Sequence, residues 1–205
     1  MSCDEQGVSD SNCVENKRKR GEGMQEPVRF AAFVALGSNM GDRGENLRTA
    51  VKKLEEKGNR VVLKSNIYQT EPYGEVKQDD FYNAVVGVLT PFKPYALLNV
   101  LKTIEVDMGR TKTEKWGPRI IDLDIIMYGE YVIDEEDLKI PHPDFRNREF
   151  VLRPMLEIGR MMIDPVTEKT IAELYTELNQ NKAEKIGTPT IVKIGTPTII
   201  KIGEL

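Results

Sequence analysis

The stretch "IIDLDIIMY" (120–128) constrains the fold more than any other part of the chain. It reads as a core strand, yet Asp122 and Asp124 interrupt its apolar run. Taking one carboxylate out of water is costly, and taking two close together costs more unless a cation accompanies them. Alternation along a strand puts both acids on one side, about 7 Å apart at Cα, and turns Ile121, Leu123 and Ile125 the other way. Such a strand needs a sheet with one face packed by helices and the other face able to carry charge.

The rest of the chain supplies that sheet. "VRFAAFVAL" (28–36) reads as a buried strand, ended by Gly37-Ser38-Asn39. "RGENLRTAVKKLEEKG" (43–58) places Leu47, Val51 and Leu54 on one helix face, with Gly58 as its stop. "RVVLKSNIYQT" (60–70) and "FYNAVVGVLT" (81–90) read as strands around the Pro/Gly loop "EPYGEVKQDD". "KPYALLNVLKTIEVDMGR" (93–110) spaces Leu97, Leu101, Ile104 and Met108 for a second helix. The order β-α-β-β-α-β predicts an α+β fold of ferredoxin-like type, with both helices on one face of an antiparallel-rich sheet and a largely open opposite face. "FVLRPMLEIG" (150–159) and "TEKTIAELYTELNQ" (167–180) predict a C-terminal helical extension packed at one end.

The catalytic-looking unit is expected over 28–181. Residues 1–27, polar and rich in Ser, Asn, Glu, Lys and Gly, predict a disordered tail, in which "KRKR" (17–20) is a solvated charge run. The end, "KIGTPTIV KIGTPTII KIGEL" (185–205), repeats an eight-residue unit twice and begins a third. Three short units are too few for a solenoid, so 182–205 is expected to be a floppy or edge-pairing tail without chemistry.

Composition narrows the function classes. Of 205 residues 40% are apolar and 30% charged, the profile of a soluble globular protein. A net charge of −4 argues against a general nucleic-acid binder. No apolar run of about 18 residues and no signal-peptide pattern are present, so a cytoplasmic protein without membrane association is expected. Cys3 and Cys13 form neither a disulfide framework nor a metal motif, and a single histidine excludes sites built from several imidazoles.

The acid pair has suggestive company. Arg119 lies three residues before Asp122 in a "WGPR" turn, Arg110 ends the second helix, and Lys112 and Lys115 lie between them. Four cations beside two acids suit a triphosphate gripped through a metal on one side and guanidinium groups on the other; Mg²⁺ takes one or two carboxylates and completes its shell with water and phosphate oxygens. "IPHPDFRNREF" (140–150) adds His142 between two prolines, and Arg148. Thr70, Pro72, Tyr73, Phe81, Asn83, Trp116 and Phe150 could shape a flat pocket, aromatic rings stacking on a planar heterocycle whose edge Asn83 reads.

Together the segments "ALGSNMGD", "SNIYQTEPYG", "DFYNAVVGV", "IEVDMGR", "KWGPRIIDLDIIMYG" and "IPHPDFRNREFVLRPMLEI" resemble the 6-hydroxymethyl-7,8-dihydropterin pyrophosphokinases of folate biosynthesis, in family order and at near-family spacing. The resemblance implies transfer of pyrophosphate from ATP, the co-substrate, to the pterin's hydroxymethyl group, with release of AMP. It implies that Asp122 and Asp124 hold two Mg²⁺ ions, that Arg110 and Arg119 serve catalysis, and that Asp122 also touches the pterin. Lys102, Glu105, Lys112, Trp116, Arg119, Ile125, Leu138, Lys139, His142 and Arg148 would contact ATP, and the seven flat-pocket residues would contact the pterin. A monomer binding no nucleic acid and no membrane is expected. Lys112 and Lys115 depart from the arginines common in the family, keeping the charge but losing the bidentate fork.

Two rival readings fare worse. A nucleotidyltransferase keeps its Gly-Ser and acid pair close in sequence, whereas Gly37-Ser38 and Asp122 are more than eighty positions apart. An RNA-binding sheet needs a basic, aromatic face and has no use for paired acids there.

Overall fold

The computed structural model describes residues 29–72, 78–110, 117–185 and 200–205. The expected disordered tail, most of the repeat, and Tyr73, Lys112, Lys115 and Trp116 lie outside the described residues. Strands β1 (Phe30–Ser38), β2 (Arg60–Lys64), β3 (Asn66–Thr70), β4 (Phe81–Thr90), β5 (Asp122–Tyr128) and β8 (Ile200–Glu204) form one antiparallel sheet in the order β5-β1-β4-β3-β8, with β2 also on β4. β6 (Ile133–Asp134) and β7 (Lys139–Ile140) make a separate hairpin.

The expected long second strand is broken at Ser65. The Ser65 amide donates to the Val85 carbonyl at 3.0 Å, while its hydroxyl accepts from the Val85 amide at 2.9 Å. A side chain thus replaces a backbone carbonyl in the ladder, and β2 and β3 engage different stretches of β4.

Helices α1 (Arg43–Glu56) and α2 (Pro94–Asp107) cover one face. Asp42 caps α1 by accepting from the Glu45 amide at 3.0 Å, and Gly58 follows its end at φ 92°. Leu47, Ala50, Val51 and Leu54 of α1 and Leu97, Leu101 and Ile104 of α2 pack with Val34, Leu36, Val86, Leu123 and Ile125. Alternation along β5 therefore holds: Leu123 and Ile125 face the helices and the two aspartates face away.

That opposite face is not largely open, as the strand-helix order alone predicts. Helices α3 (Glu149–Gly159) and α4 (Ile171–Lys185) cover half of it, with Val151, Leu152, Met155, Ile171 and Leu174 packing on Phe33, Val85, Ile126 and Met127. A bulge opposite Phe33 and Val34 puts both Ile126 and Met127 into this second core. Among the described residues the charged half of the face stays uncovered. α3 and α4 lie on this second face, where the sequence suggested packing at one end.

Asp164, fully buried between α3 and α4, fixes that layer. It receives Arg146 Nε and Nη2 at 2.7 Å each, the Thr167 hydroxyl at 2.5 Å and the Val166 amide at 3.3 Å. Burial works to raise its pKa, but these hydrogen bonds outweigh it and hold the carboxyl below the usual range. A depressed folded-state pKa means that the stabilisation is complete above the unfolded value, about 3.9, and is lost as pH falls below it. Asp164→Asn should cost about 3 kcal/mol in urea unfolding at pH 7, and the gap to the parent should shrink below pH 4. An unchanged gap at both pH values would rule the ion pair out as its source.

Candidate active site

The uncovered half of the second sheet face floors a cavity of about 350 Å³. Its floor follows from pairing register. Gly37 of β1 lies opposite Asn83 of β4 on one side and Asp122 of β5 on the other. A Cβ at Gly37 would stand 3.2 Å from Asn83 Oδ1, so the glycine leaves room for both polar groups. Ala35, the next residue on this face, lies opposite Asp124.

Asp122 is bound on both oxygens. Arg110 Nη1 donates to Oδ1 and Arg119 Nη1 to Oδ2, each at 2.7 Å. Arg110 also pairs with the buried Glu105 of α2, whose Oε1 accepts from the Leu123 amide at 2.8 Å while Lys102 donates to Oε2 at 3.1 Å. Burial raises the Glu105 pKa. At Arg110 burial opposes the charge, but Asp122 and Glu105 prevail and raise the guanidinium's pKa. Arg119 Nε is buried with no hydrogen-bond partner among the described residues. A buried donor without an acceptor at a cavity wall suits an oxygen-rich ligand.

Asp124 lies deeper. Burial first, and then the Asp122 charge, push its pKa up, and no hydrogen bond reaches it among the described residues. This is the electrostatic signature of a site wanting a cation, and the all-oxygen pair suits a hard divalent ion. His142 lines the same wall. The Asp144 amide donates to its Nδ1 at 3.2 Å, which leaves the neutral ring's proton on Nε2. Burial lowers its pKa, against the pull of Asp124. Arg148 joins the wall with its Nε held by Asp144 at 2.9 Å.

The other end of the cavity is less charged. Asn83 Nδ2 donates to Thr70 Oγ1 at 2.7 Å, which leaves Asn83 Oδ1 to accept from elsewhere. Phe81 and Phe150 line the cavity, with the Arg119 guanidinium 5.8 Å from the Phe81 ring centre.

Thr70, Phe81, Asn83, Lys102, Arg110, Arg119, Asp122, Asp124, His142, Arg148 and Phe150 are thus gathered around one cavity. Pro72 is half-buried and outside its lining. Glu105 braces the wall from behind. Ile125 and Leu138 are buried in the first core, and Lys139 pairs with Asp134, away from the cavity.

Asn39 went unmarked in the sequence except as the end of a strand. It is buried, its Oδ1 accepts from the Arg119 amide at 2.7 Å, and its Nδ2 reaches Gln78 Oε1 at 2.9 Å and the Asp79 carbonyl at 3.3 Å. Its position in "GSN", directly after a core strand, was the only available signal.

The sequence profile described as 7,8-dihydro-6-hydroxymethylpterin-pyrophosphokinase matches residues 33–160. The chain is 38% identical over 158 residues to the 2-amino-4-hydroxy-6-hydroxymethyldihydropteridine pyrophosphokinase of Haemophilus influenzae, covering 77% of this chain and 98% of that protein. It is 41% identical over 148 residues to the folic acid synthesis protein fol1 of Pneumocystis carinii, covering 72% of this chain but only 20% of that longer protein. The fold is also similar to a crystal structure of Plasmodium falciparum HPPK-DHPS, with a TM-score of 0.65 at 20% identity over 80% of this chain and 47% of the other. A profile match that runs from β1 to the end of α3 takes in all the described cavity residues, and on it the chain belongs to the 7,8-dihydro-6-hydroxymethylpterin-pyrophosphokinase family.

Proposed function

We propose that the cavity transfers pyrophosphate from ATP to the hydroxymethyl oxygen of 6-hydroxymethyl-7,8-dihydropterin, giving the pterin diphosphate and AMP in folate biosynthesis. The observation that carries this reading is a single cavity joining two adjacent carboxylates and a ring of cations at one end to Asn83, Thr70 and two phenyl rings at the other.

Asp122 and Asp124 are the residues that would hold Mg²⁺, with two ions expected. The donor set fits: both are oxygen ligands on one strand face, Asp124 has open oxygens, and each Asp122 oxygen keeps a lone pair beyond its arginine bond. Bound there, Mg²⁺ supplies charge neutralisation for the phosphates and geometric control of the attack.

The protein's own groups supply the rest. Arg119, whose buried Nε has no partner among the described residues, and Arg110, poised between Glu105 and Asp122, carry fixed positive charge to where charge develops in phosphoryl transfer. His142 can donate from Nε2 to a phosphate oxygen, and Lys102 and Arg148 offer further cations. Lys112 and Trp116, from the adjoining connection, complete the nucleotide side of this reading. Glu105, Ile125, Leu138 and Lys139 are assigned to the adenosine side; the buried side chains of Ile125 and Leu138 restrict them to backbone contacts. Phe81 and Phe150 stack on the pterin while Asn83, Thr70, Pro72, Tyr73, Trp116 and Asp122 fix its edge and hydroxymethyl arm. Such positioning turns an encounter into an in-line approach without a covalent intermediate.

The chain is further read as a ferredoxin-like βαββαβ unit with a C-terminal helical extension, supported by the order β5-β1-β4-β3 and by α1 and α2 on one face. The catalytic unit is assigned to 28–181. Among the described residues no helix is long and apolar enough to cross a membrane. A cytoplasmic monomer that binds neither nucleic acid nor membrane is the accompanying proposal.

Incubation with Mg-ATP and the pterin should give AMP in step with pterin diphosphate. ADP would instead mark an ordinary kinase, and free pyrophosphate a nucleotidyl transfer. Asp122→Asn and Asp124→Asn should each lower kcat by about 10³ or more with the thermal transition retained, so turnover near the parent's in either variant would defeat the metal assignment. Arg110→Ala should lower kcat by about 10² with little change in pterin affinity. Weakened pterin binding with normal kcat would move Arg110 out of the chemical step.

A further inference from the structure

The octapeptide repeat has no part in the cavity, but its last copy has a place in the sheet. β8, "IKIGE", closes the second unit and opens the third. It pairs with the outer edge of β3 through Asn66↔Glu204, Ile67↔Gly203, Tyr68↔Lys201 and Gln69↔Ile200, and Leu205 packs against the first core. On its inner edge β3 meets β4 through only three pairs, Tyr68↔Asn83, Gln69↔Tyr82 and Thr70↔Phe81. Those few residues carry one wall of the cavity. Thr70 accepts from Asn83, and Gln69 Nε2 donates to Asp80 Oδ2 at 2.7 Å just before β4. The profile match ends at residue 160, so β8 is an addition to the matched region.

We infer that the outer edge of β3 is a strand-addition site for the K-I-G segment of the repeat, and that its occupancy by β8 sets the cavity's affinity for the pterin. Without β8, β3 would keep three pairs to β4, the Glu157 bonds to Asn66 and Tyr68, and the buried Ile67. An edge strand held in this way opens more often than one paired on both sides. Backbone pairing carries the affinity of an added strand, and attachment to the same chain supplies a high effective concentration, so a short ladder suffices. Asp122 and Asp124 lie on β5, three strands from β3, so the effect falls on binding of the flat acceptor and leaves the phosphate end alone. The inference rests on the pterin reading of the Thr70–Asn83 end.

The test is the full-length double variant Lys201→Pro/Ile202→Pro. Lys201 pairs with Tyr68, and Ile202 is the extra residue of a bulge between that pair and Ile67↔Gly203, so the two prolines remove both N–H groups at the point where the ladder is already irregular. The pterin dissociation constant, read from pterin fluorescence without turnover, should rise at least about fivefold, the low end of coupling between linked elements, while kcat at saturation holds. The peptide TIIKIGEL added in trans at several millimolar, to match the effective concentration of the tethered strand, should restore the affinity. An unchanged dissociation constant, or a loss that the peptide does not reverse, would overturn the inference. Hydrogen exchange on the unmodified chain provides a check free of any folding defect in the variant. Amides of β3 should be protected to the level of β4, and rapid exchange there would overturn the docking. Absence of AMP formation by the unmodified chain would count against the proposed reaction, whereas the fluorescence and exchange results bear on β8.

Discussion

Two carboxylates on one face of a sheet-edge strand are the constraint around which this molecule is organised. Asp122 and Asp124 repel each other and resist leaving water, so the strand carrying them is stable only where cations converge. The chain brings them from every side: Arg119 from the preceding turn, Lys102 from α2 and Arg110 from just beyond its end, His142 and Arg148 from the segment after β7. Glu105 is the third acid of the arrangement and has a different task. β5 ends the sheet, and among its outward amides that of Leu123 finds a carboxylate oxygen in place of a neighbouring strand. The same carboxylate holds Arg110 against Asp122, so one buried group both caps a strand edge and aims a guanidinium.

The division of the second sheet face follows from the same electrostatics. Where the strands present Phe33, Val85, Ile126 and Met127, α3 and α4 settle on them. Where they present Ala35, Gly37, Asn83 and the two aspartates, no apolar helix face could pack without stranding charge, and a cavity remains. Small residues on the central strand β1 give that cavity its depth, since a side chain at Gly37 would collide with Asn83. The Asp164–Arg146 pair anchors the covering helices next to the turn that presents His142 and Arg148, so the stability of the second layer and the shape of the cavity wall are linked.

Much of this was legible beforehand because the signals are local. The alternation in "DLDII" determines which side chains share a face, helix periodicity marks the inner faces of α1 and α2, and Phe81 and Asn83 fall on one side of β4 by the same rule. What escaped notice is non-local. Asn39 matters because its amide side chain meets both the Arg119 turn and the 78–80 segment, a meeting that no pattern within "GSN" encodes. Ser65 breaks a strand because Val85 stands opposite it, and the apolar residues of α3 and α4 reveal a buried face without saying which surface they bury.

The sequence by itself determined the order of elements, the side of each strand that is charged or apolar, and the family pattern that places acids, arginines and aromatics at one site. Those properties depend on covalent spacing and backbone geometry, which any short window of the chain already contains. Tertiary structure alone decided that half of the second face is roofed by α3 and α4, that Glu105 joins α2 to the edge of β5, and that the repeat's last copy lies against β3. Each of these is a meeting of surfaces distant in the chain, selected by which apolar area and which unpaired backbone groups remain exposed once the local elements have formed.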